Sequence, residues 1–417
     1  MEQFRTVGEF ERQESVLLIW PLDSYATTHL NNDRVSVDVV EALIGEVDVI
    51  VCCYDGAVES RAKMALSTRG IDISEIRFIT YPSEIVYPRD FGAEIMIGDQ
   101  GSRARVDFRF DFYGYGTEEE ELSRVLRRFG QFHADQVGIP TTAYSTLISE
   151  GGDREFNGKG IMMAIRETEV DKRNPDKTLE EVEEEFKRVF QLSQIIWLPQ
   201  GSYDDEHSHS GAIPSADGRF NSYRSATANG HIDEICRFTD EHTIVIAQIS
   251  DEEAAESKLH ALNKDRLDRA YEVVCSATNH EGKPFRILTM PVPEPIYMDL
   301  TPEDNVFALW DWCLEAEGVL EDGTPIPKVP VNVLPALSYC NFLIANDVVL
   351  AQKYYEAGMP ERIKQKDEEA LRVLQVAFPS KRIVQINTLP LNLYGGGIHC
   401  HTRNIPDRIP PLDRIRM

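Results

Sequence analysis

Apolar residues in this chain gather into short unbroken runs, and between the runs they recur at helical spacing. Residues 15–20 (SVLLIW) and 47–53 (VDVIVCC) are runs of the first kind and read as buried strands. Residues 34–44 and 57–66 read as helices, and 77–80 (RFIT) as a further strand. The same rhythm returns twice: a helix at 179–192 before a strand at 194–197, and a helix at 367–376 before a strand at 382–386. Strands alternating with helices in this way predict an α/β protein.

A second pattern lies over the first. Small polar clusters stand immediately before or within apolar strands at five places: RDFG (89–92), EGGD (150–153), GHID (230–233), SYCN (338–341) and GGGIHC (395–400). Four are followed by similar strand candidates, at 93–97, 160–164, 243–247 and 348–351. The spacing is irregular, so this is a degenerate repeat, and it suggests supersecondary units set around a centre on which the clusters converge. No Ser/Gly linker, charge block or low-complexity stretch divides the chain, and one domain over residues 1–417 is expected. Residues 206–229 have little apolar periodicity and read as a long inserted loop; 321–328 (EDGTPIPK) reads as a turn-rich connection.

Charge narrows the range of partners. Asp and Glu number 70 against 43 Lys and Arg, a formal charge of −27. That argues against nucleic acid or an anionic membrane, which need clustered cations, and is compatible with a small cationic ligand. No apolar run is long enough to span a bilayer, and the charged first dozen residues are unlike a signal peptide, so a cytoplasmic protein is expected. Seven cysteines (52, 53, 236, 275, 313, 340 and 400) without any C-x-x-C read as reduced thiols.

Candidate chemistry sits in the clusters. Three glycines before Cys400 permit close backbone approach, with Gly396 in the middle of the triplet, and His399 and His401 flank the thiol. Cys400 reads either as a nucleophile or as a buried cysteine beside a Gly-rich turn. His231 and Asp233, at i and i+2, would share one face of a strand and suit acid/base work; a surface loop pair would look the same. Asp90, three residues after Tyr87, could grip a planar cation with ring stacking, or could belong to an ordinary Arg–Asp turn. Glu150 offers a carboxylate on a tight turn, and Asp204-Asp205 opens a short acidic run. His207-x-His209 and His399-x-His401 match no recognised metal spacing. Walker, dinucleotide and serine-hydrolase signatures are absent from the sequence, so neither a metal nor an organic cofactor is expected.

In chain order, YPRDFG (87–92), VDFRF (106–110), EGG (150–152), WLPQG (197–201), DD (204–205), GHID (230–233), SYxNF (338–342) and GGGIHC (395–400) resemble the agmatine deiminases and the related bacterial peptidyl-arginine deiminases, over residues 10 to 410. The resemblance implies a five-bladed, pseudosymmetric α/β propeller, the guanidine-modifying or pentein fold. It implies Cys400 as nucleophile, His231 as acid/base, Asp90 and Asp233 as the carboxylates gripping a guanidinium, and Glu150 at the site. It further implies hydrolysis of agmatine to N-carbamoylputrescine and ammonia through a covalent thiouronium, without a cofactor. Deimination of free or peptidyl arginine, or amidino transfer, are the alternatives. Agmatine's amine would look to Asp204 and Asp205, and an arginine carboxylate to Arg109 or Arg224. Tyr87 stands where the family commonly has Trp, and the 206–229 segment separates the paired aspartates from GHID. A homo-oligomer is left open.

Overall fold

The computed structural model describes residues 2–139, 141–315 and 318–408. It shows a mixed α/β fold. Among the described residues, five of the six sheets are built alike: an antiparallel pair, a helix, and a third strand parallel to the second. Glu94–Gly98 and Arg103–Arg109 lead through Glu121–Gln136 to Thr141–Ile148. Glu155–Phe156 and Ile161–Ile165 lead through Leu179–Phe190 to Gln194–Leu198. Cys236–Asp240 and Thr243–Gln248 lead through two helices to Arg286–Pro291. Leu343–Ala345 and Val348–Lys353 lead through Glu361–Ala377 to Arg382–Asn387. The fifth joins the two ends of the chain: Thr402–Pro406 pairs antiparallel with Gln13–Ile19, which continues through Asn32–Leu43 to Asp48–Cys53 and then to Ile76–Thr80.

The elements form where the pattern predicts. Every residue of Ile161–Ile165 is buried, as an unbroken apolar run in a sheet covered on both faces requires. Helix Leu179–Phe190 buries Val182, Phe186, Val189 and Phe190 on one stripe, and starts at a capping box between Thr178 and Glu181. The second and third units are tied together at their turns, where the buried Asp153 carboxylate accepts from the amides of Ile165 (3.2 Å) and Ile232 (2.9 Å).

Residues 206–229 differ from the expected loop. They carry two short strands, Ile213–Pro214 and Phe220–Arg224, which join Val331–Leu334 and Met298–Leu300 in the sixth sheet. The inward residues of the longer strand are Ser222 and Arg224, so a polar inner face hid the strand period. Among the described residues, no helix is long and apolar enough to cross a membrane.

Candidate active site

Each of the five repeated units places a polar turn directly ahead of its antiparallel pair, and these turns hold the candidate residues. Asp90 lies in the short helix Pro88–Phe91, and Gly152 in the turn Gly151–Asp153. His231 caps the turn Ile232–Glu234, Asn341 precedes Leu343–Ala345, and Cys400 precedes Thr402–Pro406. The strand expected for His231 and Asp233 is therefore a 3-10 turn, yet both side chains reach the same cluster.

Gly152 marks the centre. A Cβ added there would stand 2.5 Å from His231 Nδ1, 2.7 Å from Asp90 Oδ1 and 3.2 Å from Asp233 Oδ2. Asp233 Oδ2 lies 3.6 Å from Cys400 Sγ, so thiol, imidazole and both carboxylates are gathered around one small region. All four residues are buried. Gly396 backs the thiol, since a Cβ there would come within 3.0 Å of Cys400 Sγ and 3.1 Å of Tyr87 Cε1. Tyr87 is held by its hydroxyl, which donates to the Leu391 carbonyl at 2.7 Å.

The electrostatics divide the groups by role. The Glu150 carboxylate accepts from Arg173 Nε at 2.8 and 3.0 Å with neither side chain exposed. Burial works to raise its pKa, but Arg173 and His231 overcome this and hold it at about 2. Burial opposes the charge on His231 as well, but Asp90 (Oδ1 at 3.6 Å from Nδ1) and Glu150 (Oε2 at 3.4 Å from Nε2) raise it to about 10. His231 is thus an imidazolium at neutral pH. Burial pushes Asp90 up from the ordinary carboxylate range, while Tyr113 Oη (2.9 Å) and the Gly152 amide (2.9 Å) donate to it. The Cys400 thiol is pushed well up by burial and by Asp233, Glu234 and Asp90, which makes the resting form the thiol. Among the described residues, two buried polar atoms in the cluster, His231 Nδ1 and Asp233 Oδ1, have no hydrogen-bond partner. Such atoms cost about 1–3 kcal/mol each; Asp233 Oδ1 is an acceptor that a ligand N–H group would complete, while the protonated His231 Nδ1 is a donor that awaits an acceptor.

Other expected residues have different work. Asp205 accepts from the amides of Ala228 (3.1 Å), Gly230 (3.0 Å) and His231 (2.9 Å), and so anchors the GHID turn rather than facing a ligand. Asp204 accepts from Asn263 at 3.0 Å, and shares a small cleft of about 30 Å³ with Glu234 and Tyr339. Arg109 is committed to Glu118 and to the Thr146 carbonyl, and Arg224 to Glu206 and the Tyr203 carbonyl. Neither arginine bonds to the cluster. His401 bonds Ser36 and the Val86 carbonyl, and burial lowers it to about 4, so it supplies no cation to the thiol.

Five further residues serve the cluster. Asn341 donates from Nδ2 to Cys400 Sγ (3.0 Å) and to Glu234 (3.0 Å), and accepts at Oδ1 from the His399 amide (3.0 Å). Tyr113 reaches Asp90 from a backbone with φ near +60° at both Phe112 and Tyr113, a left-handed conformation costing about 1–2 kcal/mol per residue. Arg173 fixes Glu150. His399 and Glu9 complete the set behind Asp233. Asn341 and His399 lay in recognised clusters; Tyr113, Arg173 and Glu9 arrive from distant chain positions with no local signal.

Over residues 5–213 and 220–406 the chain matches the model of the Porphyromonas-type peptidyl-arginine deiminases. The chain belongs to that family. Among the family's curated relatives, this deiminase-family chain is 25% identical over 420 residues to an agmatine deiminase of Medicago truncatula, covering 97% of this chain and 96% of the relative. An agmatine deiminase of Pseudomonas aeruginosa is 26% identical over 411 residues, covering 97% and 95%. The solved agmatine deiminase of Enterococcus faecalis shares its fold with a TM-score of 0.74 at 20% identity, over 97% of this chain and 96% of that one.

Proposed function

We propose that this protein is a deiminase of a small guanidino compound, agmatine, and a C–N hydrolase that releases ammonia. The observation that carries the reading is the meeting of Cys400, His231, Asp90 and Asp233 around Gly152, with the unpartnered His231 Nδ1 and Asp233 Oδ1 among them. A guanidinium offers N–H groups to the two carboxylates, which hold it flat and present its carbon to sulfur in a near-unimolecular step. Its charge also offsets the carboxylates that disfavour the thiolate, so binding the substrate favours the nucleophile. The thiolate adds to the guanidino carbon, and the imidazolium of His231 gives its proton to the departing nitrogen, which leaves as ammonia. The product of that half is a covalent thiouronium. Neutral His231 then takes a proton from water as it attacks the same carbon, and the C–S bond breaks to release the ureido product and the thiolate.

Agmatine fits better than arginine on a specific ground. An arginine carboxylate needs a free cation, and both Arg109 and Arg224 are already bonded to glutamates. The far amine of agmatine needs acceptors, and the carboxyl groups of Asp204 and Glu234 meet at one small cleft. Curated relatives named agmatine deiminase at 25–26% identity support the same substrate. We further propose that the five repeated units ring a common axis as a five-bladed propeller, in one catalytic domain that acts in the cytoplasm without metal or organic cofactor.

The test is ureido formation by purified protein given agmatine, free arginine or a short arginyl peptide, with Cys400→Ser alongside. Product from agmatine alone, lost in the variant, is expected. Product from arginine or the peptide in its place would overturn the substrate assignment, and no product from any would overturn deimination.

A further inference from the structure

We propose that His399 and Glu9 are positioning residues for the reaction: the His399 ring, anchored on Glu9, holds the Asp233 carboxylate in place beside the Cys400 sulfur. The inference rests on the deiminase reading of the site. It adds two residues that neither touch the guanidinium nor carry a chemical step.

The geometry is a clamp with carboxylates at both ends. His399 Nδ1 is 2.6 Å from Asp233 Oδ2, and Nε2 is 2.8 Å from Glu9 Oε2. Glu9 is in turn fixed by Arg89 (3.0 Å), Arg237 (3.2 Å) and the Ile344 amide (2.8 Å). Burial opposes the charge of Glu9, but His399 and the two arginines carry it well below the ordinary carboxylate range. Asp233 is lowered too, since hydrogen bonding and charge from His399 outweigh burial. With a carboxylate oxygen within hydrogen-bond distance of each ring nitrogen, the ring is fixed in orientation between Asp233 and Glu9.

That arrangement does two things at Asp233. It occupies Oδ2 and so fixes the rotation of the carboxylate, while Oδ1 stays without a partner. It also sets the place of a carboxylate that stands 3.6 Å from the sulfur. The other charged groups facing this spot are Glu234 and Asp90, which disfavour a thiolate, and His231 and Arg237, which act on Asp233 from its own unit. Tyr87 and Tyr113, both buried, also face the thiol and stay neutral, being pushed well above the ordinary phenol value. Loss of the His399 ring therefore leaves sulfur beside a carboxylate that has lost its hydrogen-bond partner.

The test uses Glu9→Gln and His399→Gln in the full chain. Cys400 alkylation is followed against pH by mass spectrometry of its peptide, with iodoacetamide and, separately, 2-chloroacetamidine; the exposed Cys275 serves as internal reference. Both variants should move the Cys400 midpoint upward by about one pH unit while Cys275 keeps its own. Ureido kcat/KM should fall about 10- to 100-fold, as when the partner orienting a functional ligand is removed. Glu9→Asp, which keeps the charge, should recover part of both. Should Glu9→Gln fail to fold, having stranded two arginines, His399→Gln alone decides. Midpoints equal to wild type in the folded variants would overturn the proposal. Failure of the deiminase reading looks different: wild type would give no ureido product and no preference for the amidine reagent, while the iodoacetamide shift would still report on the clamp.

Discussion

Gly152→Ala isolates the centre of the site with one methyl group. The added carbon would lie within 2.5 Å of His231 Nδ1, 2.7 Å of Asp90 Oδ1 and 3.2 Å of Asp233 Oδ2, all inside the 3.4 Å at which ordinary contact begins. None of the three neighbours is free to yield. His231 is flanked by Glu150 and Asp90, Asp90 is bonded by Tyr113 and by Gly152's own amide, and Asp233 is held by His399. Relief requires the catalytic groups to move apart by about 1 Å, a misplacement that costs roughly 100-fold in rate. That corresponds to about 2.7 kcal/mol of transition-state stabilisation. Overpacking should also lower stability by about 1–3 kcal/mol. The assay is ureido kcat/KM on agmatine with a melting curve for each variant, beside Gly56→Ala, where an added Cβ meets nothing within 4 Å. Gly152→Ala retaining more than half of wild-type kcat/KM while folded would refute the convergence of these groups on Gly152.

Other perturbations separate the roles. Arg173→Met strands the buried Glu150 carboxylate, and should destabilise the protein by about 3–5 kcal/mol and abolish activity, read by denaturant unfolding and ureido assay. His231 is raised above its ordinary value, to about 10, so its contribution to stability is complete below about pH 6.5 and lost as pH rises toward 10. The stability gap between wild type and His231→Gln should accordingly narrow from pH 6 to pH 10, and a gap that widens would contradict the charge assignment. Arg109→Ala should leave kcat/KM on agmatine within about twofold, because its half-exposed side chain serves Glu118. A larger drop would restore Arg109 to the substrate's path.

The repeat was legible because four of the five polar clusters precede a strand of apolar character, as at EGGD before Ile161–Ile165 and GHID before Thr243–Gln248. Chemistry followed the same route: Cys400, His231, Asp233, Asp90 and Glu150 all lie in those clusters. What escaped the sequence depends on side chains that cross between units. Glu9 comes from a turn near the start of the chain to meet His399, and Tyr113 reaches Asp90 from a left-handed loop; neither has neighbours in sequence that announce a partner. Asp205 misled because an acidic pair near a site suggests ligand binding, whereas a single carboxylate collecting three amides is a backbone anchor. The 206–229 segment escaped for a different reason, since burial of Ser222 and Arg224 removes the apolar alternation by which a strand is recognised.

The pairing of Thr402–Pro406 with Gln13–Ile19 also fixes when the molecule can first react. A chain made from its N-terminus holds Gln13–Ile19 with one edge bare until nearly all the rest has emerged, an exposed template for misassociation. Closing that sheet spans almost the whole sequence, a contact of the kind that slows folding most. The sulfur sits two residues ahead of the closing strand, and Glu9 waits at the opposite end of the sequence. Clamp, acid and nucleophile therefore come into register in one last event, and shorter nascent fragments would carry a carboxylate cradle with no means of attacking what it holds.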